Sequence, residues 1–331
     1  MRAIQQTVLG GPEVLELREV PTPEPATGEV RVRVAAAGVH AVDTNIRRGD
    51  APPGFPVTLP MVPGREVAGV VDAVGEGVDP SLAGTQVVVH LGMRGGGYAE
   101  FAIADAAALH PLPAGVSPAE AVAAIGTGRT AQLVLQTARL EPDDIVIIPG
   151  VSGGLGSQLA QLALARGCRL VTLYGGERKR AAAEQVGAKG DDRYLALDSM
   201  DDDWPAAMAR WLGEEQPSLL LDGVGGDTAR RALESLGRGG RVIIVGWASG
   251  TPVVVTTADI LERSLTVASA LGKPITNMRE LESRALDAVV SGQVRPLIDA
   301  YPLSQAPIAH AAIERRESRG KVVLIPDGVS S

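Results

Sequence analysis

The 331-residue sequence contains only one cysteine, Cys168, so an intrachain disulfide is excluded. Cys168 opens the strand-like run CRLVTLY, a position that favours a small buried hydrophobic residue over a reactive thiol. The sequence also lacks an uncharged apolar run long enough to cross a bilayer, and the opening MRAIQQTVLGG lacks the apolar core of a signal peptide. We therefore expect a cytoplasmic protein without a membrane partner.

An excess of positive charge is also missing, because the formal net charge is -8 at pH 7 and the pI is about 5.2. Phosphate backbones and anionic lipids bind to basic surfaces, so nucleic acid is not an expected partner. Small molecules and other protein chains are expected instead. A hydrophobic content of 45% over 331 residues suits two domains, each with a core of its own.

The sequence pattern changes twice along the chain. Residues 1–124 are rich in Gly and Pro and carry short alternating runs such as VRVRVAAAG, which predict a mostly antiparallel, loop-rich domain. In residues 125–269, the continuous apolar runs IVIIP, RLVTLY, SLLLD and RVIIVG alternate with helical segments. This alternation predicts a doubly wound parallel α/β sheet. Residues 270–331, with a helix over 278–289, are predicted to rejoin the first domain.

A glycine-rich turn follows the first of these apolar runs, in PGVSGGLGSQLAQLALARG. Glycines let the backbone approach a pyrophosphate, while the N–H groups and dipole at the start of a helix attract its charge. The bare pattern is weak because Val151 replaces the first glycine of G-x-G-x-x-G. Its place between a strand and a helix nevertheless favours a dinucleotide site over an ordinary tight turn. The predicted cofactor-binding residues of this turn are Gly150, Ser152, Gly153, Gly154, Leu155 and Gly156.

The end of the next strand distinguishes between the two nicotinamide cofactors. A site for NAD would place an Asp or Glu near the end of RLVTLY, where this sequence has Tyr174 and Gly175. Arg178, Lys179 and Arg180 follow at a predicted helix start, where cations are unfavourable unless an anion compensates for them. NADPH is therefore the predicted cofactor, and the alternative reading is a solvated basic turn.

Further segments occur along the chain in the order GGPEVLELREVPTPEP, AAGVHAVDTNIRRG, PGREVAGVVDAVGEGV, TGRTAQLVL, LLLDGVGGD and GKVVLIP. In order and spacing they resemble the zinc-free quinone oxidoreductases, the zeta-crystallin-like branch of the medium-chain dehydrogenase/reductase superfamily. The resemblance covers nearly the whole chain. It implies a GroES-like β-barrel domain formed by residues 1–124 and 270–331, and a Rossmann domain formed by residues 125–269. It also implies a homodimer through the sheet edge near residues 265–270.

The resemblance assigns roles to residues that the local pattern alone leaves open. Lys179 and Tyr194 match residues that contact the 2′-phosphate in relatives, which again indicates NADPH. Thr130 matches a threonine near the nicotinamide, although an ordinary hydroxyl on a helix surface is an equal alternative. Gly246 lies on the loop past which the nicotinamide runs in relatives.

Departures from the family pattern concentrate near the expected reaction site. His40 replaces an asparagine that lies beside the nicotinamide in relatives, and Asn45 replaces a common tyrosine. In the zinc-dependent relatives, zinc ligands stand at the positions of His40 and Arg65, and a third falls near Gly126. A catalytic zinc needs about three protein ligands, and only His40 remains. The sequence therefore predicts that no metal is bound.

The adjacent opposite charges of Arg65 and Glu66 in VPGREVAGVV are also interpreted by comparison with the zinc-dependent relatives. In the zinc-dependent relatives, the aspartate that matches Asp43 supports the histidine ligand at the position of Arg65. The resemblance thus predicts an ion pair between Asp43 and Arg65, shared with Glu66, that takes over the structural role of the metal. The alternative makes Arg65 a clamp for a carboxylate or phenolate of the substrate.

Reduction of a conjugated acceptor is the chemistry that needs a metal least, because the resulting oxyanion is delocalised and hydrogen-bond donors can hold it. His40, Asn45, Arg65 and Thr130 are the predicted catalytic residues, with His40 as the proton source. The predicted activity is NADPH-dependent reduction of a quinone or an α,β-unsaturated carbonyl. The alternatives are an enoyl reductase acting on a secondary-metabolite intermediate and an NADPH-binding scaffold or regulatory protein with little turnover.

Overall fold

The computed structural model describes residues 1–52, 54–55, 57–187, 190–272 and 275–328. Contacts between Cα atoms divide the chain into two compact units. The first unit consists of residues 1–127, 285–290 and the segment from Ile298 onward, and the second of residues 128–284 and 291–297. The domain limits predicted from the sequence, with breaks after residues 124 and 269, stay a prediction. Positions 273–274 and 329–331 of the predicted tail lie outside the described residues.

The strands, in chain order, are β1 Arg2–Gln6, β2 Leu15–Glu19, β3 Glu29–Gly38, β4 Glu66–Val74, β5 Gln86–His90, β6 Phe101–Asp105, β7 His110–Pro111, β8 Ile145–Pro149, β9 Arg169–Tyr174, β10 Tyr194–Asp198, β11 Leu219–Asp222, β12 Arg241–Ile244, β13 Thr266–Ser269, β14 Ile298–Pro302 and β15 Lys321–Ile325. The α-helices are α1 Ala41–Arg48, α2 Pro118–Val122, α3 Arg129–Ala138, α4 Gly154–Ala165, α5 Arg180–Val186, α6 Trp204–Leu212, α7 Gly226–Glu234, α8 Thr257–Arg263, α9 Met278–Val290 and α10 Ala306–Glu314. Short 3₁₀ helices cover Pro12–Val14, Pro80–Leu82, Ala106–Ala108, Glu177–Lys179 and Leu303–Gln305, and a π-helical segment covers Ala123–Gly128.

The first unit is built on a sheet with the strand order β14-β15-β3-β4-β5-β7, and β6 also pairs with β3. Its neighbouring strands are antiparallel except for the parallel pair β14 and β15. Alternation along β3 buries Val30, Val32 and Val34, because successive side chains of a strand point to opposite faces. The mostly antiparallel character predicted for the N-terminal part of the chain is confirmed.

The second unit contains a fully parallel sheet with the order β10-β9-β8-β11-β12-β13. This is the order of a doubly wound dinucleotide-binding sheet, with its reversal between β8 and β11. Every residue of β8 is buried, and Ile147, Val171 and Leu220 from neighbouring strands share one core. The predicted doubly wound α/β sheet is confirmed.

The glycine-rich turn lies between a strand and a helix, α4, and Cys168 is buried, as the sequence predicts. The helix follows β8 directly and ends before Gly167, whose φ of 96° is unfavourable for residues with a side chain. Cys168 is buried, and its thiol donates to the carbonyl oxygen of Glu141 over 3.2 Å. Burial raises the pKa of this thiol to about 11, so it remains protonated at neutral pH.

At the outer end of the parallel sheet, β13 pairs with β12. The predicted homodimer would use this edge, and it stays a prediction. Among the described residues, no helix combines the length and the apolar character needed to span a bilayer.

A buried charge joins α1 to α10 within the first unit. The Arg47 side chain is 1% exposed, and its Nη2 lies 2.5 Å from Oε1 of Glu314. Arg47 Nε also donates to the carbonyl oxygen of Gly10 over 3.1 Å. A guanidinium buried this deeply needs a counter-charge, because desolvation of an unpaired ion is costly.

We predict that Glu314→Gln lowers the free energy of unfolding by about 3 kcal/mol, because it leaves the buried Arg47 cation without a counter-charge. Chemical denaturation of the purified variant measures this loss. The matched control is Glu317→Gln, since Glu317 pairs with the largely exposed Arg315. Its effect should stay within about 0.5 kcal/mol. Equal losses of stability in the two variants would contradict the conclusion that Glu314 neutralises the buried Arg47 cation.

Candidate active site

The glycine-rich turn after β8 lies at the carboxyl edge of the parallel sheet, directly before α4. Gly150 has a φ of 75°, and its N–H donates to the carbonyl oxygen of Leu173 over 2.8 Å. A Cβ at Gly156 would lie 2.3 Å from the carbonyl oxygen of Gly150, so only glycine lets α4 pack this closely against the turn. The N–H groups in the first turn of a helix have no acceptor within that helix. The turn can therefore receive a pyrophosphate.

The structure brings the predicted residues of this turn together. Ser152 is buried in the turn, and Gly153 is the N-cap of α4. Gly154 and Leu155 are partly exposed in the first turn of the helix. Gly246 follows β12, so it lies at the same carboxyl edge of the sheet.

The basic turn after β9 lies at this edge as well. Arg178 is exposed and Lys179 is partly exposed, both within the 3₁₀ helix that follows Gly175. Asp198 ends the neighbouring strand β10, and its Oδ1 accepts from the N–H of Gly176 over 2.8 Å and from that of Met200 over 3.0 Å. An acid is therefore present near the turn, although it comes from β10 and binds backbone N–H groups.

Tyr194 does not lie at this edge, and its predicted contact with a 2′-phosphate is wrong. It begins β10 opposite Leu170, whereas the basic turn follows Tyr174, which is opposite Asp198. Four steps along a strand correspond to about 13 Å. The Tyr194 hydroxyl donates to the carbonyl oxygen of Ala183 over 2.6 Å, and burial raises its pKa to about 12. Tyr194 therefore anchors α5 to the sheet.

Thr130 is placed in the first turn of α3, in the second unit, and is partly buried. Its predicted position beside the nicotinamide stays a prediction.

In the first unit, a cluster of charged groups surrounds Glu66, the first residue of β4. The Glu66 side chain is 0% exposed, and its Oε1 lies 2.5 Å from Nζ of Lys321 and 2.9 Å from Nε2 of His40. Glycines make room for this carboxylate. A Cβ at Gly38 would lie 1.9 Å from one carboxylate oxygen, and a Cβ at Gly126 would lie 2.0 Å from the other.

Neighbouring side chains determine the ionisation of Glu66. Burial on its own would raise the pKa of this carboxyl, but the charges of His40 and Lys321 outweigh it and hold the pKa well below its usual range. Glu66 is therefore an anion at neutral pH, and the cluster is a buried ion pair.

A second charged group lies next to this cluster. Arg65 Nε is 3.5 Å from Oδ1 of Asp43, so the structure brings together the two residues of the predicted ion pair. Oδ2 of Asp43 accepts from the backbone N–H of His40 over 2.8 Å and from the Tyr98 hydroxyl over 3.2 Å. Burial, followed by the charge of Asp43, raises the pKa of Tyr98 well above its usual value. Glu66 pairs with Lys321 and His40 instead, so each carboxylate has its own cation.

A pocket of about 210 Å³ opens beside Arg65. Asp43, Phe55 and Met93 also line it, and the Arg65 guanidinium carbon lies 4.8 Å from the centroid of the Phe55 ring. The pocket thus combines two arginines, Arg65 and Arg94, with an apolar wall. Asn45 lies on α1, where its amide oxygen accepts from Arg48 over 2.8 Å. The side-chain oxygen of Asn45 is used in that bond, and its side-chain NH₂ group is the hydrogen-bond donor.

Two residues of the Glu66 cluster were missed from the sequence. His90 ends β5 directly opposite Glu66 in the sheet register, and its Nδ1 accepts from the N–H of Gly92 over 3.1 Å. Lys321 begins β15 and is 4% exposed. The available signal was a lysine at the head of the apolar run KVVLIP, since lysine is rarely buried without a partner.

Comparisons with known proteins agree with this architecture. Residues 26–114 match the family model of the alcohol dehydrogenase GroES-like domain, and residues 194–324 match that of a zinc-binding dehydrogenase. The chain is 32% identical over 328 residues to quinone oxidoreductase 1 of Escherichia coli (strain K12), which covers 96% of this chain and 97% of the relative. It is 32% identical over 335 residues to quinone oxidoreductase of Sus scrofa, covering 98% of each.

Solved structures show the same similarity. Escherichia coli quinone oxidoreductase complexed with NADPH superposes with a TM-score of 0.84 at 29% identity, covering 98% of this chain and 100% of that one. An NAD-dependent alcohol dehydrogenase superposes with a TM-score of 0.86 at 30% identity, covering 98% and 99%. A GroES-like domain together with a Rossmann-like nucleotide-binding domain is confirmed.

One of the matching families is named for zinc, so the fit of the site to zinc matters. Donor atoms of His40, Glu66 and His90 lie within 4.8 Å of one another, which is a suitable number and kind of ligands. However, the Lys321 ammonium already contacts the Glu66 carboxylate. The guanidinium of Arg65 stands where the resemblance placed a histidine ligand. In this arrangement the residues do not fit a divalent cation, because the ion would be repelled by a buried ammonium.

We predict that Arg65→Met lowers the free energy of unfolding by about 3 kcal/mol, because it leaves the buried Asp43 carboxylate without a cation. Thermal or urea unfolding measures the loss. Arg94 also lines the pocket but is half exposed, and it pairs with Glu29. Arg94→Met is therefore the control and should change stability by about 0.5 kcal/mol or less. An Arg65→Met protein with unchanged stability and a raised KM would instead identify Arg65 as a substrate clamp.

Proposed function

The chain belongs to the quinone oxidoreductase group of the medium-chain dehydrogenase/reductase superfamily, and we propose that it is an NADPH-dependent oxidoreductase that reduces a quinone or an α,β-unsaturated carbonyl without a metal. The observation that carries the proposal is the glycine-rich turn of the second unit, whose close approach to α4 suits a pyrophosphate. The relatives named as quinone oxidoreductases, one of them complexed with NADPH, support it.

The cofactor side of the proposal depends on the second unit. The turn from Gly150 to Gly156 would hold the pyrophosphate, since a Cβ at Gly156 would fill the space that keeps the turn close to α4. Arg178 and Lys179 would hold the 2′-phosphate. The negative charge of Asp198 would repel the 2′-phosphate. This repulsion is reduced because Oδ1 of Asp198 already accepts hydrogen bonds from two backbone N–H groups. NADPH, when bound, supplies a hydride to the acceptor.

The acceptor side depends on the first unit. Hydride transfer to a quinone leaves a hydroquinone monoanion, and one proton completes the hydroquinone. Hydride transfer to the β-carbon of an enone leaves an enolate, which takes a proton at its α-carbon. Arg65 lines the pocket and would stabilise either oxyanion. His40, which is 20% exposed and paired with ionised Glu66, would donate the proton. Asn45 is proposed as a further donor, and the role of Thr130, which belongs to the second unit, stays a prediction.

The activity test measures NADPH consumption with benzoquinone and with a panel of enones. We expect NADPH to be oxidised with equimolar formation of reduced product, and we expect no oxidation of simple alcohols with NADP⁺, because no metal activates the alkoxide. A preference for enones over quinones would select the enoyl-reductase alternative. Tight binding of NADPH without turnover on any acceptor would contradict the proposal and favour a scaffold or regulatory protein.

The cofactor preference has its own test. Arg178→Ala and Lys179→Ala should each raise the KM for NADPH about 10- to 100-fold and leave the KM for NADH unchanged, because a charged hydrogen bond contributes about 1.5 to 3 kcal/mol. Arg180→Ala is the matched control, since Arg180 Nη2 lies 2.9 Å from Oε2 of Glu177. Parallel changes with both cofactors, or an equal effect of Arg180→Ala, would exclude a 2′-phosphate site at this turn.

A further inference from the structure

We propose that the acceptor carries a carboxylate group and that Arg94 binds this group in the pocket beside Arg65. This identity of the acceptor rests on the proposed function, whereas every residue that lines the pocket belongs to the first unit. Arg94 would thereby determine which acceptors bind, while Arg65 keeps its proposed role at the oxygen that becomes negatively charged.

The charges of the pocket favour an anion. The charged residues that line it are Arg65, Arg94 and Asp43. Asp43 is 4% exposed, and its Oδ1 lies 3.5 Å from Nε of Arg65. Its Oδ2 accepts from the backbone N–H of His40 and from the Tyr98 hydroxyl. Because Asp43 is covered and compensates for Arg65, the charge that the pocket presents to a ligand is the half-exposed guanidinium of Arg94.

The present partner of Arg94 leaves most of its guanidinium available. Nη2 of Arg94 donates to Oε1 of Glu29, and within the described part of the chain its other side-chain N–H groups have no protein acceptor. An ion pair with a half-exposed member is screened by water and contributes little to stability. Oε2 of Glu29 also accepts from the N–H of Ala26 over 3.0 Å, so Glu29 keeps a partner of its own when Arg94 turns. A second carboxylate can therefore bind Arg94 with little loss of existing contacts.

The backbone holds Arg94 at the pocket. The N–H of Gly96 donates to the carbonyl oxygen of Val62 over 2.8 Å, and that of Gly97 donates to the carbonyl oxygen of Gly64 over 3.0 Å. Gly64 itself lines the pocket, so these bonds attach the segment after Arg94 to the pocket wall. The arginine side chain nevertheless remains half exposed, and it can turn toward a ligand without a movement of the chain.

The size and walls of the pocket limit the rest of the ligand. Its large apolar lining residues are Ile46, Phe55, Met61 and Met93. Its volume of about 210 Å³ exceeds that of a cavity of about 150 Å³ that binds benzene. A ligand of one ring with a carboxylate arm therefore suits this space. A phosphate suits it less, because it would bring about 1.5 to 2 negative charges to a single uncompensated arginine.

The kinetic test compares benzoquinone acetate with its methyl ester, which are the same quinone with and without a negative charge. Arg94→Met should raise the KM for the acid about tenfold and that for the ester less than about twofold, with kcat unchanged, because it removes a charged contact remote from the reacting atoms. Glu29→Gln removes a competing carboxylate and should lower the KM for the acid. Arg18→Met is the matched control, since Arg18 is exposed, pairs with Glu16 and lies outside the pocket lining.

Calorimetry with benzoate and benzamide tests the site without NADPH or turnover. Wild-type protein should bind benzoate more tightly than benzamide, and Arg94→Met should remove this preference. Equal binding of the two by wild-type protein, or a preference that survives in Arg94→Met, would overturn the inference. Tighter binding of phenyl phosphate than of benzoate would also overturn it.

The two measurements separate this inference from the proposed function. Turnover of both quinones with the same KM values in Arg94→Met as in wild type would overturn the inference and leave the proposed function intact. Absence of turnover with either quinone would contradict the proposed function, and the benzoate measurement would then decide the carboxylate site by itself.

Discussion

The requirement to neutralise a fully buried carboxylate organises the first unit of this protein. Glu66 ionises in a space that Gly38 and Gly126 leave open, and this arrangement is stable only with a cation in contact. The side chains that contact Glu66 come from distant parts of the chain. His40 directly precedes α1, and Lys321 is the first residue of β15. β15 pairs with β3, and just after β3 the N–H of Val39 donates to the carbonyl oxygen of Val322. The return of the C-terminal segment to the first unit therefore completes the site.

The second unit obeys a different constraint, namely close approach of the backbone. The carbonyl oxygen of Gly150 lies where any side chain at Gly156 would have to be, so only glycine lets the first turn of α4 pack against the turn at the carboxyl edge of the sheet. Such an edge attracts anions through N–H groups that have no partner within the helix. Under the proposed function, this unit binds the reductant through its phosphates, and the first unit supplies the charges that stabilise the reduced acceptor.

The sequence predicted the features that depend on local pattern. Continuous apolar runs such as IVIIP predicted the parallel sheet, and the family motif around Asp43 and Arg65 predicted residues that the structure brings within 3.5 Å. Features that depend on strand register were not predictable. Tyr194 was placed at the wrong end of β10, and His90 was given no role, because only the sheet shows that His90 lies opposite Glu66. Lys321 was missed since its partners are remote in sequence.

The central claim is that side-chain cations replace a metal in the reaction site of an oxidoreductase. The most direct measurement is the metal content of catalytically active protein, determined by elemental analysis before and after dialysis against a chelator, with quinone reduction followed in the same samples. The account predicts far less than one metal ion per chain and unchanged turnover after chelation. About one zinc ion per chain, with turnover that falls as the zinc is removed and returns when it is restored, would contradict it.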